Sequence, residues 1–70
     1  MDLRSARQEK KLTQEELAEK SGLPQTTISD IERGAIKKPS WDAVARLCRA
    51  LGMDPSDVFP IDELPKAVNQ

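Results

Sequence analysis

The sequence predicts an all-α domain of five short helices, and three observations carry that reading. Apolar residues recur three and four apart, as with Leu3 and Ala6, Ile28 and Ile31, or Val44, Cys48 and Leu51; this spacing lines one face of a helix and lacks the alternation of a strand. Start signals precede each segment: Thr13 with Glu16, Ser40, and Asp54 followed by Pro55. Gly22, Gly34 and Gly52 supply the stops, and no internal repeat competes with this division.

Taken in order, residues 2–11, DLRSARQEKK, form the first helix, with Leu3, Ala6 and Leu12 facing inward. Arg7 shares that inner face. A charge there requires a partner, because a lone buried charge is expensive, and Glu32 at the far end of the third helix is the natural one. Thr13 and Glu16 make a capping box, so the second helix starts at Gln14 with its free amides satisfied reciprocally. Ala18 is small where two helices approach closest, and Gly22 allows a left-handed residue at the helix end and a tight turn into the next segment. Leu17 and Leu23 fill the angle between the two helices together with Ile28 and Ile31.

The third helix, residues 24–33, turns Ile28 and Ile31 inward and leaves Gln25, Thr26, Ser29 and Asp30 on the outer face. After Gly34 the stretch AIKKP is a loop with Lys37 and Lys38 adjacent and Pro39 stiffening it. Ser40 caps the fourth helix, WDAVARLCRAL, in which Trp41, Val44, Ala45, Cys48 and Leu51 are read as core. Asp54 and Pro55 open a last short helix, PSDVF, by cap and first-turn proline. Residues 1–59 are therefore one domain, and 60–70 are expected to be an extended or loosely ordered tail.

Composition narrows the function. A chain of 70 residues builds a small core, burying only about 60% of its unfolded surface, so dimerisation is a ready source of further stability. No apolar run approaches the ~20 residues of a membrane crossing and nothing resembles a leader, which makes the cytoplasm the expected location, with no membrane partner. Cys48 is the only cysteine and there is no histidine, so a disulfide, a thiol zinc cluster and a Cys–His nucleophile are all excluded. No Gly-rich phosphate loop is present either. No enzymatic activity, metal or cofactor is expected.

The formal net charge is −1 and the pI about 5.3, below the basic balance usual for nucleic-acid binding. Its distribution is uneven: residues 10–49 hold eight bases against six acids, whereas residues 50–70 hold four acids against one lysine. The acidity lies in the tail.

Two helices meeting near a right angle through a tight turn form the unit that sets its second helix in the DNA major groove. Arg7, the run Thr13-Gln14-Glu15-Glu16-Leu17-Ala18, Gly22, Gln25, Ile28, Ile31-Glu32-Arg33-Gly34, Pro39, Leu51-Gly52-Met53 and Asp57-Val58-Phe59 together resemble the phage Cro and repressor family of helix-turn-helix domains, the XRE-type group, over residues 2–59. The resemblance implies a compact five-helix, lambda-repressor-like domain that binds operator-like double-stranded DNA, commonly as a dimer. It also supports Arg7 with Glu32 as a structural salt bridge. The chain departs from the family at Pro24, where a Ser or Thr usually caps the recognition helix.

By the same resemblance Gln14 is a phosphate contact and a brace for Gln25, while Gln25 and Thr26 read base edges with Asp30 one turn later. The chemistry agrees: Gln matches adenine N6 and N7, Thr meets a thymine methyl, and Asp accepts from cytosine N4. Phosphate anchoring is assigned to Lys10, Lys11, Thr27, Lys37, Lys38 and Ser40, with a solvated helix end as the competing reading for Lys10 and Lys11. Leu51, Met53, Val58, Phe59 and Ile61 exceed the needs of so small a core and are assigned to a two-fold interface. The expected function is a sequence-specific transcriptional regulator acting as a dimer on a pseudo-palindromic operator. The alternative is an antitoxin or interaction module of the same fold whose tail binds a partner protein.

Overall fold

The computed structural model describes residues 2–64. Its helices are α1 (Leu3–Glu9), α2 (Gln14–Ser21), α3 (Gln25–Glu32), α4 (Trp41–Leu51) and α5 (Pro55–Val58), followed by a single 3-10 turn at Ile61–Glu63. There is no strand among the described residues.

Three of the helices are started by side-chain caps, whereas Asp54, expected to cap α5, forms no such bond. Asp2 caps α1 by accepting the Ser5 amide at 2.8 Å. Thr13 Oγ1 accepts the Glu16 amide at 3.0 Å while Glu16 accepts the Thr13 amide at 2.8 Å, the reciprocal box that starts α2. Ser40 Oγ accepts the Ala43 amide at 3.1 Å at the head of α4. At α3 the cap residue is Pro24, which offers no side-chain acceptor; its carbonyl takes the Thr27 and Ile28 amides at 3.0 and 3.3 Å.

The first helix is shorter than the expected 2–11, and the end of α1 shows why. Leu12 N donates to Arg7 O at 3.1 Å and Lys11 N to Gln8 O at 2.9 Å, a pair of bonds that satisfies the last carbonyls by turning the chain left-handed. Lys11 is the residue that adopts this conformation, at φ 59°. Two adjacent lysines gave no hint of a stop, since glycine is the usual occupant of such a position.

The core is assembled from Leu3 and Ala6 of α1, Leu17 of α2, Ile28 of α3, Val44, Leu47, Cys48 and Leu51 of α4, and Val58 and Phe59 at the end of α5. Burial pushes the Cys48 thiol up, with the carboxylates of Asp54 and Asp57 adding to the effect, so this cysteine is an inert core residue. Leu12, Ala18, Leu23, Ile31, Ala50, Met53 and Leu64 pack around the edge.

Three expectations are corrected by this packing. Leu51, Val58 and Phe59, assigned to an interface between copies, are buried within the chain itself. The short α5 packs against α4 and carries Val58 and Phe59 into the core. Met53 is half-buried, and Ile61 alone of the five stands in solvent, 87% exposed. Trp41 and Ala45, read as core, are exposed instead, Trp41 by 47%. The buried stripe of α4 runs through Ala43, Val44, Leu47, Cys48 and Leu51; Trp41 lies on its margin at the open first turn, where no preceding turn of helix covers the ring. Finally, the start of the expected tail is ordered, since the 3-10 turn brings Leu64 back against the core. The rest of the tail, with the protein-partner role assigned to it, lies outside the described residues.

Candidate nucleic-acid interface

The sequence brings α2 and α3 together through small and apolar contacts. Leu17 and Ile28 are completely buried, Leu23 and Ile31 fill the angle, and Ala18 lies between them without bulk. Gly22 ends α2 at φ 76°. The left-handed backbone is what calls for glycine there; a Cβ would meet only the tip of the Arg46 side chain, at 3.2 Å from Nη1. The turn and the buried Ile28 together fix the direction in which α3 leaves the body.

The face of α3 opposite Ile28 is the candidate surface. Gln25 and Thr26 are exposed at its first turn, while Thr27, Ser29 and Asp30 are half-buried. Asp30 is not free: its Oδ1 accepts from Arg33 Nη2 at 2.8 Å and Arg33 Nε at 3.1 Å. The three-residue spacing of Asp30 and Arg33 on one helix was the available signal for this pair.

Behind α3 a polar cluster ties three helices together. Glu32, with its side chain 1% exposed, accepts from Arg7 Nε at 2.6 Å on Oε2 and from Arg7 Nη2 at 3.1 Å on Oε1. Arg7 Nη1 also donates to Leu12 O at 2.8 Å, so the same guanidinium closes the α1–α2 turn. Gln14 Nε2 donates to Glu32 Oε1 at 3.0 Å. The amide expected to brace Gln25 thus reaches the other end of α3, because a carboxylate without solvent recruits every donor within range. Arg4 Nε approaches the same oxygen at 3.5 Å. Its place here was missed, although Arg4 and Arg7 are three apart and share a helix face.

Electrostatics follow from this geometry. Burial alone would push the Glu32 carboxyl up, but hydrogen bonds from Arg7 and Gln14 and the charge of Arg7 outweigh it and hold the carboxyl below the usual range. The same bond with Glu32 raises Arg7. Both groups are therefore ionised at neutral pH, and the cluster is a structural anchor for α3.

The remaining candidates surround that surface. Lys10 and Lys11 follow α1, and Lys37 and Lys38 lie between α3 and α4; all four are exposed and none forms an ion pair among the described residues. The hydroxyl of Ser40 is occupied by its capping bond. Among the described residues no group of three or more His, Cys, Asp or Glu could hold a metal ion, and no helix among them is long and apolar enough to cross a membrane.

Comparison with known proteins gives the same arrangement a context. The family model described as Helix-turn-helix matches residues 3–58. An uncharacterized HTH-type transcriptional regulator of Methanothermobacter thermautotrophicus is 44% identical over 62 residues, covering 87% of this chain and 88% of that protein. A second such regulator, y4dL of Sinorhizobium fredii, is 42% identical over 52 residues, which are 74% of this chain but 26% of the longer relative. Among solved structures, the restriction-modification controller protein C.AhdI from Aeromonas hydrophila superposes with a TM-score of 0.75 at 37% identity, over 81% of this chain and 85% of that one. With the family model spanning α1 to α5, the chain belongs to the XRE-type helix-turn-helix family of DNA-binding transcriptional regulators.

Proposed function

We propose that this protein is a sequence-specific regulator that lays α3 in the major groove of double-stranded DNA, as a dimer on a pseudo-palindromic operator. The observation that carries the reading is the polarity of α3: Ile28 is sealed into the core while Gln25 and Thr26 stand in solvent at the first turn, the part of a recognition helix that meets base edges. Gln25 supplies paired donor and acceptor for adenine and Thr26 a methyl and a hydroxyl. Asp30 is the weaker reader, because Arg33 already neutralises its carboxylate through Oδ1 and leaves only Oδ2 to accept from a cytosine amino group.

Lys10, Lys11, Lys37 and Lys38 supply the backbone charge, and Thr27, Gln14 and the amides around Ser40 the neutral phosphate contacts. The overall acidity is no obstacle, since the acids of residues 54–63 belong to α5, its cap and the 3-10 turn rather than to α3 and its flanking loops. With Leu51, Val58 and Phe59 committed to the core, exposed Ile61 and half-buried Met53 are what is left of the assigned interface between copies. A dimer would space two recognition helices about one DNA turn, ~34 Å, apart.

Selection from randomised duplexes, followed by titration of Gln25→Ala, tests this reading. The wild type should recover a two-fold site. Gln25→Ala should lose at least roughly 30-fold on that site, because the dimer gives up two bidentate base contacts of about 1–3 kcal/mol each, and bind unrelated DNA as before. Equal losses on both DNAs would remove Gln25 from base readout.

A further inference from the structure

We propose that Arg33, the residue that closes α3, reads a guanine in the major groove and that Asp30 positions it for that contact; the inference rests on the proposed docking of α3. Thr26, Asp30 and Arg33 follow one another at intervals of four and three residues, so they share one side of the helix, and that side lies opposite the buried Ile28. Arg33 is therefore on the face assigned to DNA. It lies about 10 Å along the axis from Thr26, a span of about three base steps along the groove. The first turn of a recognition helix lies nearest the bases, where the short Thr26 suffices. The far turn needs a long side chain, and Arg33 is the one it carries.

Hydrogen bonds hold this side chain in place. Arg33 Nε and Nη2 both donate to Asp30 Oδ1, at 3.1 and 2.8 Å, and the Arg33 amide donates to Ser29 O at 3.0 Å. Asp2, Glu32 and Glu63 line a hollow beside the end of α3, yet among the described residues Arg33 forms an ion pair with Asp30 alone. A guanidinium presents its N–H donors as a rigid fork. With the Nε edge given to Asp30, the parallel N–H groups of Nη1 and Nη2 remain, on a side chain that is 66% exposed. That pair matches guanine O6 and N7. Asp30 also decides between a base and a phosphate: its carboxylate cancels the charge a phosphate would seek and repels the phosphate itself, whereas the acceptors of guanine carry no net charge. Because the fork is already ordered, less rotamer freedom is lost on binding.

The test is selection from randomised duplexes by the full chain as wild type, Arg33→Met and Asp30→Asn, followed by titration of the selected site. The pair is exposed, so both variants should melt close to wild type. The wild type is expected to fix a guanine in each half-site. Arg33→Met should lose that preference and keep the others, and Asp30→Asn should weaken it at the same position. Changing that G·C pair to A·T in one half-site should cost the wild type roughly 5- to 150-fold, the range for one bidentate contact, and cost Arg33→Met little. A wild-type site with no fixed guanine, or an Arg33→Met that selects the same guanine, overturns the Arg33 contact and leaves the docking of α3 standing; this holds also if Arg33→Met flattens the salt slope on every duplex, the mark of a phosphate contact. An Asp30→Asn with full preference for the guanine overturns the positioning role. A wild type that selects no site overturns the docking itself and this inference with it.

Discussion

Removing Arg7 should be among the most damaging single changes in this chain, and the magnitude comes from the group it leaves behind. Arg7→Met deletes two hydrogen bonds to Glu32 and one to Leu12 O, stranding a carboxylate whose side chain is 1% exposed. Breaking one partner of a buried pair costs about 3–5 kcal/mol. The lower end applies here, about 3 kcal/mol, because Gln14 still donates to Glu32 and Arg4 stands near it. A chain of this size has roughly 4–10 kcal/mol in total, so a third or more of its stability is at stake. In a thermal melt followed by far-UV circular dichroism at pH 7, a loss of that size lowers Tm by roughly 15 °C. Arg7→Met combined with Glu32→Leu should recover most of it, since apolar side chains of similar size replace the pair without an uncompensated charge. A drop of less than ~5 °C for Arg7→Met would equate the pair with an exposed surface bridge. A double variant no better than the single one would refute the stranded-charge explanation.

Two further outcomes rest on the same local chemistry. Because Glu32 titrates below its unfolded value of about 4.3, the unfolded chain binds the proton first as pH falls; the stabilisation is complete above that value and disappears at lower pH. Asp2 acts in the same direction through its bond from the Ser5 amide, so Tm should fall as the pH drops below about 4.3, and less steeply in Glu32→Gln; identical profiles would exclude Glu32 as the source. Lys11→Gly should raise stability by about 0.5–1 kcal/mol, as the left-handed penalty at φ 59° exceeds the added freedom of the unfolded glycine, and an unchanged or lower melting temperature would contradict the left-handed turn.

Much of the architecture was legible because it is written in short-range chemistry. Thr13 with Glu16, Ser40 ahead of α4 and the glycines after α2 and α4 act within four residues, so pattern and outcome coincide. Ile28 was identifiable as an anchor from its spacing to Ile31, and Arg7 with Glu32 from the need of an inward charge for a partner. The left-handed turn at Lys11 was not legible, since lysine carries no preference for it. Nor was the exposure of Trp41, because helical periodicity assigns a direction around the axis and says nothing about whether another element reaches the helix end.

The candidate surface divides along the same line. That Gln25 and Thr26 point outward follows from Ile28 pointing in, a relation internal to one helix. That Asp30 is held by Arg33, that Gln14 serves Glu32, and that Arg4 stands beside them as a second cation depend on which of several neighbours each group meets.

The amino-acid order alone determined where most helices begin and end, which face of each is apolar, and that one polar face would be left without a partner. Tertiary structure decided which apolar residues the core had room for, drawing Leu51, Val58 and Phe59 inward and leaving Ile61 out, and how the charged groups around Glu32 were shared. The physical reason is range: caps and periodicity act over one or two turns of helix, whereas burial and ion pairing are settled by distances between segments far apart in the chain, which exist only once it has folded.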